Sequence, residues 1–170
     1  MRKRDYFRLC FILTGLCYIL WIDEVRSQEL PTVPPYSDMQ GKPLSTIECL
    51  AVNSYHESRG ESDAANLAVM STVYARSLLG GRYGDDMCEV IFKPNAYSWT
   101  SDGKSDKIYN VDQYMRLYSL AEKFLVSKDL YLEVFERSDH YHVVGHKTGW
   151  NYRKLDYIGR IDNHVFYRHK

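Results

Sequence analysis

Beyond residue 43, apolar positions recur at helical spacing first and at strand spacing only near the end of the chain. Ser45-Thr46-Ile47-Glu48 reads as a capping box, in which Ser45 accepts from the Glu48 backbone N–H while the Glu48 carboxylate reaches back. Stepping about 100° per residue from Ile47 puts Ala51 and Tyr55 on one side and Leu50 and Ser54 on the other. Glu57 then falls beside Leu50, at the edge of the apolar stripe of an amphipathic helix. Ser62 or Asp63 caps a second helix, whose Ala64, Ala65, Leu67, Ala68, Val69, Met70, Val73 and Leu78 leave hardly any polar face; Gly80-Gly81 ends it. A helix apolar nearly all round is a central one. A short helical turn is expected over 86–91, and Asp112 is expected to cap a further helix carrying Tyr114, Leu117, Ala121, Phe124 and Leu125. After Asp139 the pattern changes. His140-Tyr141-His142-Val143-Val144-Gly145 and His164-Val165-Phe166-Tyr167-Arg168 are rich in strand-forming residues and are expected to pair. The stretch between them holds Trp150, Tyr152, Tyr157 and Gly159 without a clear period. The fold class expected is mainly α (α+β), a helical domain with a small β element near its C-terminus.

The first 43 residues read as address and tether. Arg2-Lys3-Arg4 and Arg8 precede an apolar run over residues 9–22, interrupted only by Thr14 and Gly15, and Asp23-Glu24 return the chain to water. Fourteen residues fall short of the about 20 that span a bilayer, and fit the apolar core of an export signal. Val25-Arg26-Ser27 is a poor version of the small-x-small cleavage pattern, so residues 1–27 are expected to act as a signal peptide or an uncleaved signal anchor. The basic N-terminus predicts that the rest is translocated, to the periplasm or to the outer face of the inner membrane, with residues 9–22 as the membrane contact. Four of the five prolines fall between positions 31 and 43, which makes residues 28–43 an extended linker. Residues 44–170 are left for one folded domain of ordinary size, expected as a monomer.

Composition adds two points. Formal charge is balanced overall, yet residues 146–170 carry six basic against two acidic side chains, while residues 28–145 carry 11 against 17. A basic end either faces a polyanion or is solvated surface; nucleic acid is not the expected partner. Fifteen tyrosines lean towards a sugar-lined groove, since the ring packs on apolar faces while the hydroxyl bonds to polar ones. Cys10 and Cys17 lie in the apolar run, which leaves Cys49 and Cys88 as an even pair, either bridged or buried as free thiols.

Candidate chemistry centres on Tyr55-His56-Glu57-Ser58-Arg59-Gly60-Glu61. A carboxyl at the edge of an apolar stripe loses hydration, which raises its pKa towards a value at which it still donates a proton near neutrality. Glu57 is therefore the candidate acid. Glu61 is the candidate second carboxylate, or else a structural residue that caps or pairs with Arg59. Ala96-Tyr97-Ser98-Trp99-Thr100-Ser101-Asp102-Gly103 reads as a loop of sugar-binding side-chain types.

These blocks carry a resemblance. Cys49-Leu50-Ala51 leading to Tyr55-His56-Glu57-Ser58-Arg59-Gly60-Glu61, then Leu67-Ala68-Val69, Cys88-Glu89-Val90-Ile91, Tyr97-Ser98-Trp99-Thr100, His140-Tyr141-His142, and finally Ile158-Gly159-Arg160 with His164-Val165-Phe166-Tyr167-Arg168 occur in register. Together they resemble the cell wall hydrolases of the spore cortex-lytic enzyme type, from about Ile47 to Arg168. The resemblance implies a lysozyme-like, mainly helical fold and cleavage of peptidoglycan glycan strands by lytic transglycosylation. It implies Glu57 as the catalytic residue; no cofactor is expected. Glu61, Tyr97, Ser98, Trp99 and Tyr141 are the candidate substrate-binding residues. Two departures stand out: Ser58 replaces the alanine common before Arg-Gly-Glu, and residues 107–139 match loosely. A compact domain behind a marginal export segment is expected of a phage-type lysis enzyme. The competing enzyme readings are a hydrolytic muramidase and a zinc amidase or peptidase using His140, His142 and His146. Zinc requires further ligands, and Gly60 stands where a helical HExxH motif needs its second histidine. The remaining alternative is a wall-binding module without catalysis.

Overall fold

The capping box at Ser45 forms as expected in the computed structural model, which describes residues 43–170. The Ser45 backbone N–H donates to Glu48 Oε2 at 2.6 Å, and the first helix, α1, runs over Thr46–Ser58. Every residue from Cys49 to Tyr55 is buried, so α1 is not the amphipathic surface helix that the spacing suggested. It packs mainly against α4 and also touches α2 and α3, and its polar Asn53 and Ser54 are buried too. The expectations for residues 1–27, for most of the linker and for a membrane contact at 9–22 lie outside the described residues. Among the described residues no helix is long and apolar enough to cross a membrane.

Ser62 caps α2 (Asp63–Leu79) by accepting from the Ala65 N–H, and Gly80, at φ 56°, donates its N–H to the last carbonyls. That conformation suits a residue without Cβ. The short α3 (Met87–Phe92) is capped by Asp86. Cys88 on it is disulfide-bonded to Cys49 on α1, with the Cα atoms 5.4 Å apart. A single 3-10 turn follows at Ser98–Thr100. The fourth helix, α4 (Val111–Val126), is capped by Asn110, whose side chain accepts from the Gln113 N–H. This corrects Asp112, which lies inside the helix at its second position. A further helix that the spacing did not predict, α5 (Lys128–Val134), follows after one residue.

The β element has three strands rather than two: β1 (His140–Val143), β2 (Leu155–Ile161) and β3 (His164–His169), in the order β1-β3-β2 and antiparallel throughout. The expected pairing of the two histidine-led strands is present, with Tyr141 opposite Phe166. The strand missing from the sequence reading, β2, has a register shift between Tyr157 and Gly159, which breaks the period-2 alternation a strand is read by.

One apolar cluster joins α1, α2, α3 and α4 and includes Leu50, Val52, Met70, Ile91, Tyr114, Leu117 and Phe124. A smaller one, Ala68, Val69 and Phe166, seats the sheet on α2. The sheet is also latched by its own hairpin. Asp162, at φ 48° in the β2–β3 turn, accepts from the Ser62 N–H at 2.8 Å, and the Asn163 N–H donates to Glu61 Oε2 at 3.3 Å. The elbow between α1 and α2 thus fixes the sheet beside the C-terminal end of α1.

Candidate active site

Glu57 sits in the last turn of α1, half-buried, where the helix leaves the core. The elbow that follows is held by side chains: Ser58 Oγ donates to Asn66 Oδ1 at 2.8 Å, and Asn66 Nδ2 donates to the Ser62 carbonyl at 2.9 Å. The serine that stands where alanine is common thus finds a buried partner. Arg59 lies over the Tyr55 ring at 4.8 Å and donates to the Tyr55 carbonyl at 2.9 Å.

Opposite Glu57, strand β1 presents Tyr141, whose hydroxyl donates to Glu57 Oε2 at 2.8 Å. The two residues are 84 positions apart in the chain. Burial raises the Glu57 carboxyl above the ordinary carboxylate range; the Tyr141 hydrogen bond and the charge of Arg76 act in the opposite sense without cancelling it. Burial also pushes the Tyr141 hydroxyl well up and raises Tyr97, so both remain protonated near neutrality. The Arg76 side chain is anchored by its Nε, which donates to the Asp139 carbonyl at 2.8 Å, and its guanidinium lies over the rings of Tyr97 at 5.5 Å and Tyr83 at 5.7 Å.

An open groove of about 560 Å³ runs past Glu57 and is lined by Ser98, Tyr141, His142, Thr148 and Trp150, among others. Of the residues expected to bind substrate, Ser98 and Tyr141 therefore meet Glu57 in one groove. Three do not line it. Tyr97 is buried behind it, next to Arg76. Trp99 is buried too, stacked on His56 at 4.6 Å and donating from Nε1 to Asn53 Oδ1 at 3.0 Å, so it braces α1 instead of facing a sugar. Glu61 faces the β2–β3 turn, as above. Trp150 and Thr148, absent from the expected set, come from a stretch without a period, and their only sequence signal was an aromatic amid polar residues. Two of the three histidines considered for zinc have other contacts. His140 Nδ1 lies 2.8 Å from Asp139 Oδ1, and His142 stacks on Tyr167 at 5.5 Å. Among the described residues no group of three or more His, Cys, Asp or Glu is gathered as a metal site.

A half-buried carboxyl held from one side by a tyrosine hydroxyl is suited to give and retake a proton. Tyr141→Phe tests that pairing. The hydrogen bond favours ionised Glu57, so its loss should raise the Glu57 pKa further and move the alkaline limb of the pH–rate profile upward, while maximal rate falls roughly tenfold or more. An unmoved limb would detach Tyr141 from the acid.

Comparison with known proteins gives the class. The chain matches the family described as Cell Wall Hydrolase over residues 60–167 and belongs to that family. It is a peptidoglycan-cleaving enzyme. Glu57 lies three positions before the matched segment, so its role rests on geometry. The fold is similar to that of the catalytic domain of the Bacillus cereus SleB protein, with 21% identity, 82% of this chain and 98% of that chain covered, and a TM-score of 0.53. It is equally similar to the catalytic domain of the germination-specific lytic transglycosylase SleB from Bacillus anthracis, again at 21% identity and TM-score 0.53, over 79% of this chain and 98% of that one. The lysozyme-like, mainly helical fold implied by the resemblance is thus present. No curated protein matches the chain.

Proposed function

We propose that the protein is a lytic transglycosylase that cleaves the bond between N-acetylmuramic acid and N-acetylglucosamine with Glu57 as its one acid–base residue. The observation that carries this reading is the Tyr141–Glu57 hydrogen bond of 2.8 Å in an open groove, with the carboxyl raised by burial. Oε2 accepts from Tyr141, which leaves Oε1 to carry the proton. Glu57 gives that proton to the bridging oxygen as positive charge builds at C1 of the muramic acid, and the bond from C1 to that oxygen breaks. A hydrolase would then need a second carboxylate as nucleophile or as base for water. Among the described residues no second carboxylate lines the groove, and Glu61 is occupied by the β2–β3 turn. The C6 hydroxyl of the same muramic acid therefore attacks C1, Glu57 takes its proton, and a 1,6-anhydro end forms without water. The description of the Bacillus anthracis neighbour as a lytic transglycosylase supports the same reaction. Anhydro ends on digested peptidoglycan, read by mass spectrometry, are the test.

We propose further that residues 1–27 export the domain as a signal or anchor, that residues 28–43 tether it, and that the enzyme works on the wall from the outer side of the inner membrane, in wall degradation or phage-type host lysis. A chain lacking residues 1–27 should keep its activity on purified wall and fail to lyse cells when made inside them. Lysis equal to that by the full chain, with no other lysis protein present, would rule out the export role.

A further inference from the structure

Beside the Glu57 groove lies a second hollow of about 210 Å³ whose rim is basic: Arg82, Lys154, His140 and His169 surround it, and Trp150 closes one side. Trp150 lines both cavities, so the two share that ring as a wall. Its cations differ from their neighbours in one respect. Arg137 is paired with Glu133, and Arg168 and Lys170 with Asp156. Arg82 and Lys154 have no carboxylate partner among the described residues: Arg82 bonds only to the Tyr83 hydroxyl, at 2.7 Å, and lies over that ring at 4.6 Å. The carboxylate beside His140, Asp139, is buried and already taken. It accepts from the His169 N–H at 2.9 Å and stands 2.8 Å from His140 Nδ1, which fixes the His140 ring against Trp150 at 4.9 Å. Two exposed cations on a fixed aromatic and imidazole wall are suited to a ligand that brings its own carboxylates.

We propose that this hollow binds the acidic stem peptide of the glycan strand being cleaved, with Arg82 and Lys154 receiving its free carboxylates. The inference rests on the glycan-cleaving reading above, because the stem peptide hangs from the lactyl group of the muramic acid whose C1 lies at Glu57. A cation pair placed one ring away from the acid then makes the enzyme select strands that still carry peptides, and the basic C-terminal end seen in the sequence gains a ligand in the wall itself.

The test uses the full chain and a soluble probe, GlcNAc–MurNAc–tetrapeptide, which contains no MurNAc–GlcNAc bond to cleave. Its comparison ligand is the same muropeptide with the carboxylates converted to amides. In calorimetric titration the native chain should bind the acid form roughly tenfold more tightly than the amide, as expected for charge-assisted hydrogen bonds. Arg82→Gln/Lys154→Gln should bind both forms alike. Arg137→Gln, whose guanidinium is held by Glu133, should keep the preference and so control for general loss of positive charge. Equal affinity of the native chain for the two forms, no binding of either, or an unchanged preference in the double variant overturns the proposal. Were the double variant unfolded, the native comparison decides alone. Glu57→Gln should show the native preference, so an error in assigning the acid and an error in assigning this hollow are read separately.

Discussion

Glu57→Gln should leave a folded protein that binds peptidoglycan and cleaves it at least roughly 10²–10⁴-fold more slowly, the contribution of a positioned acid–base group. The amide keeps the shape of the side chain and a partner for the Tyr141 hydroxyl but has no proton to transfer. Stability should not suffer. A carboxyl whose pKa is raised by folding stabilises the folded state only through its bound proton; that contribution is complete below the unfolded pKa and is lost as pH rises through the raised folded value. At pH values above that raised folded pKa the glutamate is therefore no more stabilising than glutamine, and there the variant should melt at the same temperature or higher. The native pH–rate profile should fall on its alkaline side where Glu57 loses its proton, above the ordinary carboxylate range. Glu61→Gln should slow cleavage far less, since its carboxylate holds the Asn163 N–H and lies outside the groove. The reverse ranking of the two variants, with both folded, would mean that the two carboxylates exchange roles.

Removing the disulfide should have the largest effect on stability. The bridge closes a chain separation of 39 residues between α1 and α3, for which the loop-closure relation gives about 4 kcal/mol. In a domain of this size that corresponds to roughly 10–20 °C in melting temperature. Cys49→Ala/Cys88→Ala should therefore melt well below the oxidised native chain and close to the native chain under reducing conditions. Activity at low temperature should survive, because α1 is still held by α2 and α4 and by the Trp99–Asn53 hydrogen bond. Coincident melting of the oxidised chain and the double variant would remove the bridge from the account of stability.

The parts legible in the sequence were those fixed by neighbours. The Ser45–Glu48 box, the Ser62 cap and the glycine stop at position 80 depend on residues within one turn, and all three are where the pattern put them. The position of Glu57 at the end of α1 followed from the same local argument, and its half-burial agrees with it. The reason is partly different, however. Asn53 and Ser54 are polar, yet both are buried, Asn53 accepting from Trp99 Nε1, so α1 is covered nearly all round and Glu57 is the point where cover ends. What was not legible depends on distant pairing. No local spacing links Tyr141 to Glu57. Strand β2 is masked by its irregular register, and α5 starts without a side-chain cap to announce it. Trp99 and Trp150 show the same limit in opposite directions: one aromatic expected at a sugar is used to stack on His56, and one without an assigned place lines the groove.

The most direct measurement is mass spectrometry of the glycan ends released from purified peptidoglycan by the full-length protein. The account predicts 1,6-anhydromuramic acid at the new ends, lighter by one water than reducing ends, and predicts that Glu57→Gln releases almost none of them. Reducing ends carrying an added water would contradict transglycosylation and point to a hydrolytic muramidase, and intact glycan with freed peptides would contradict glycan cleavage by Glu57 altogether.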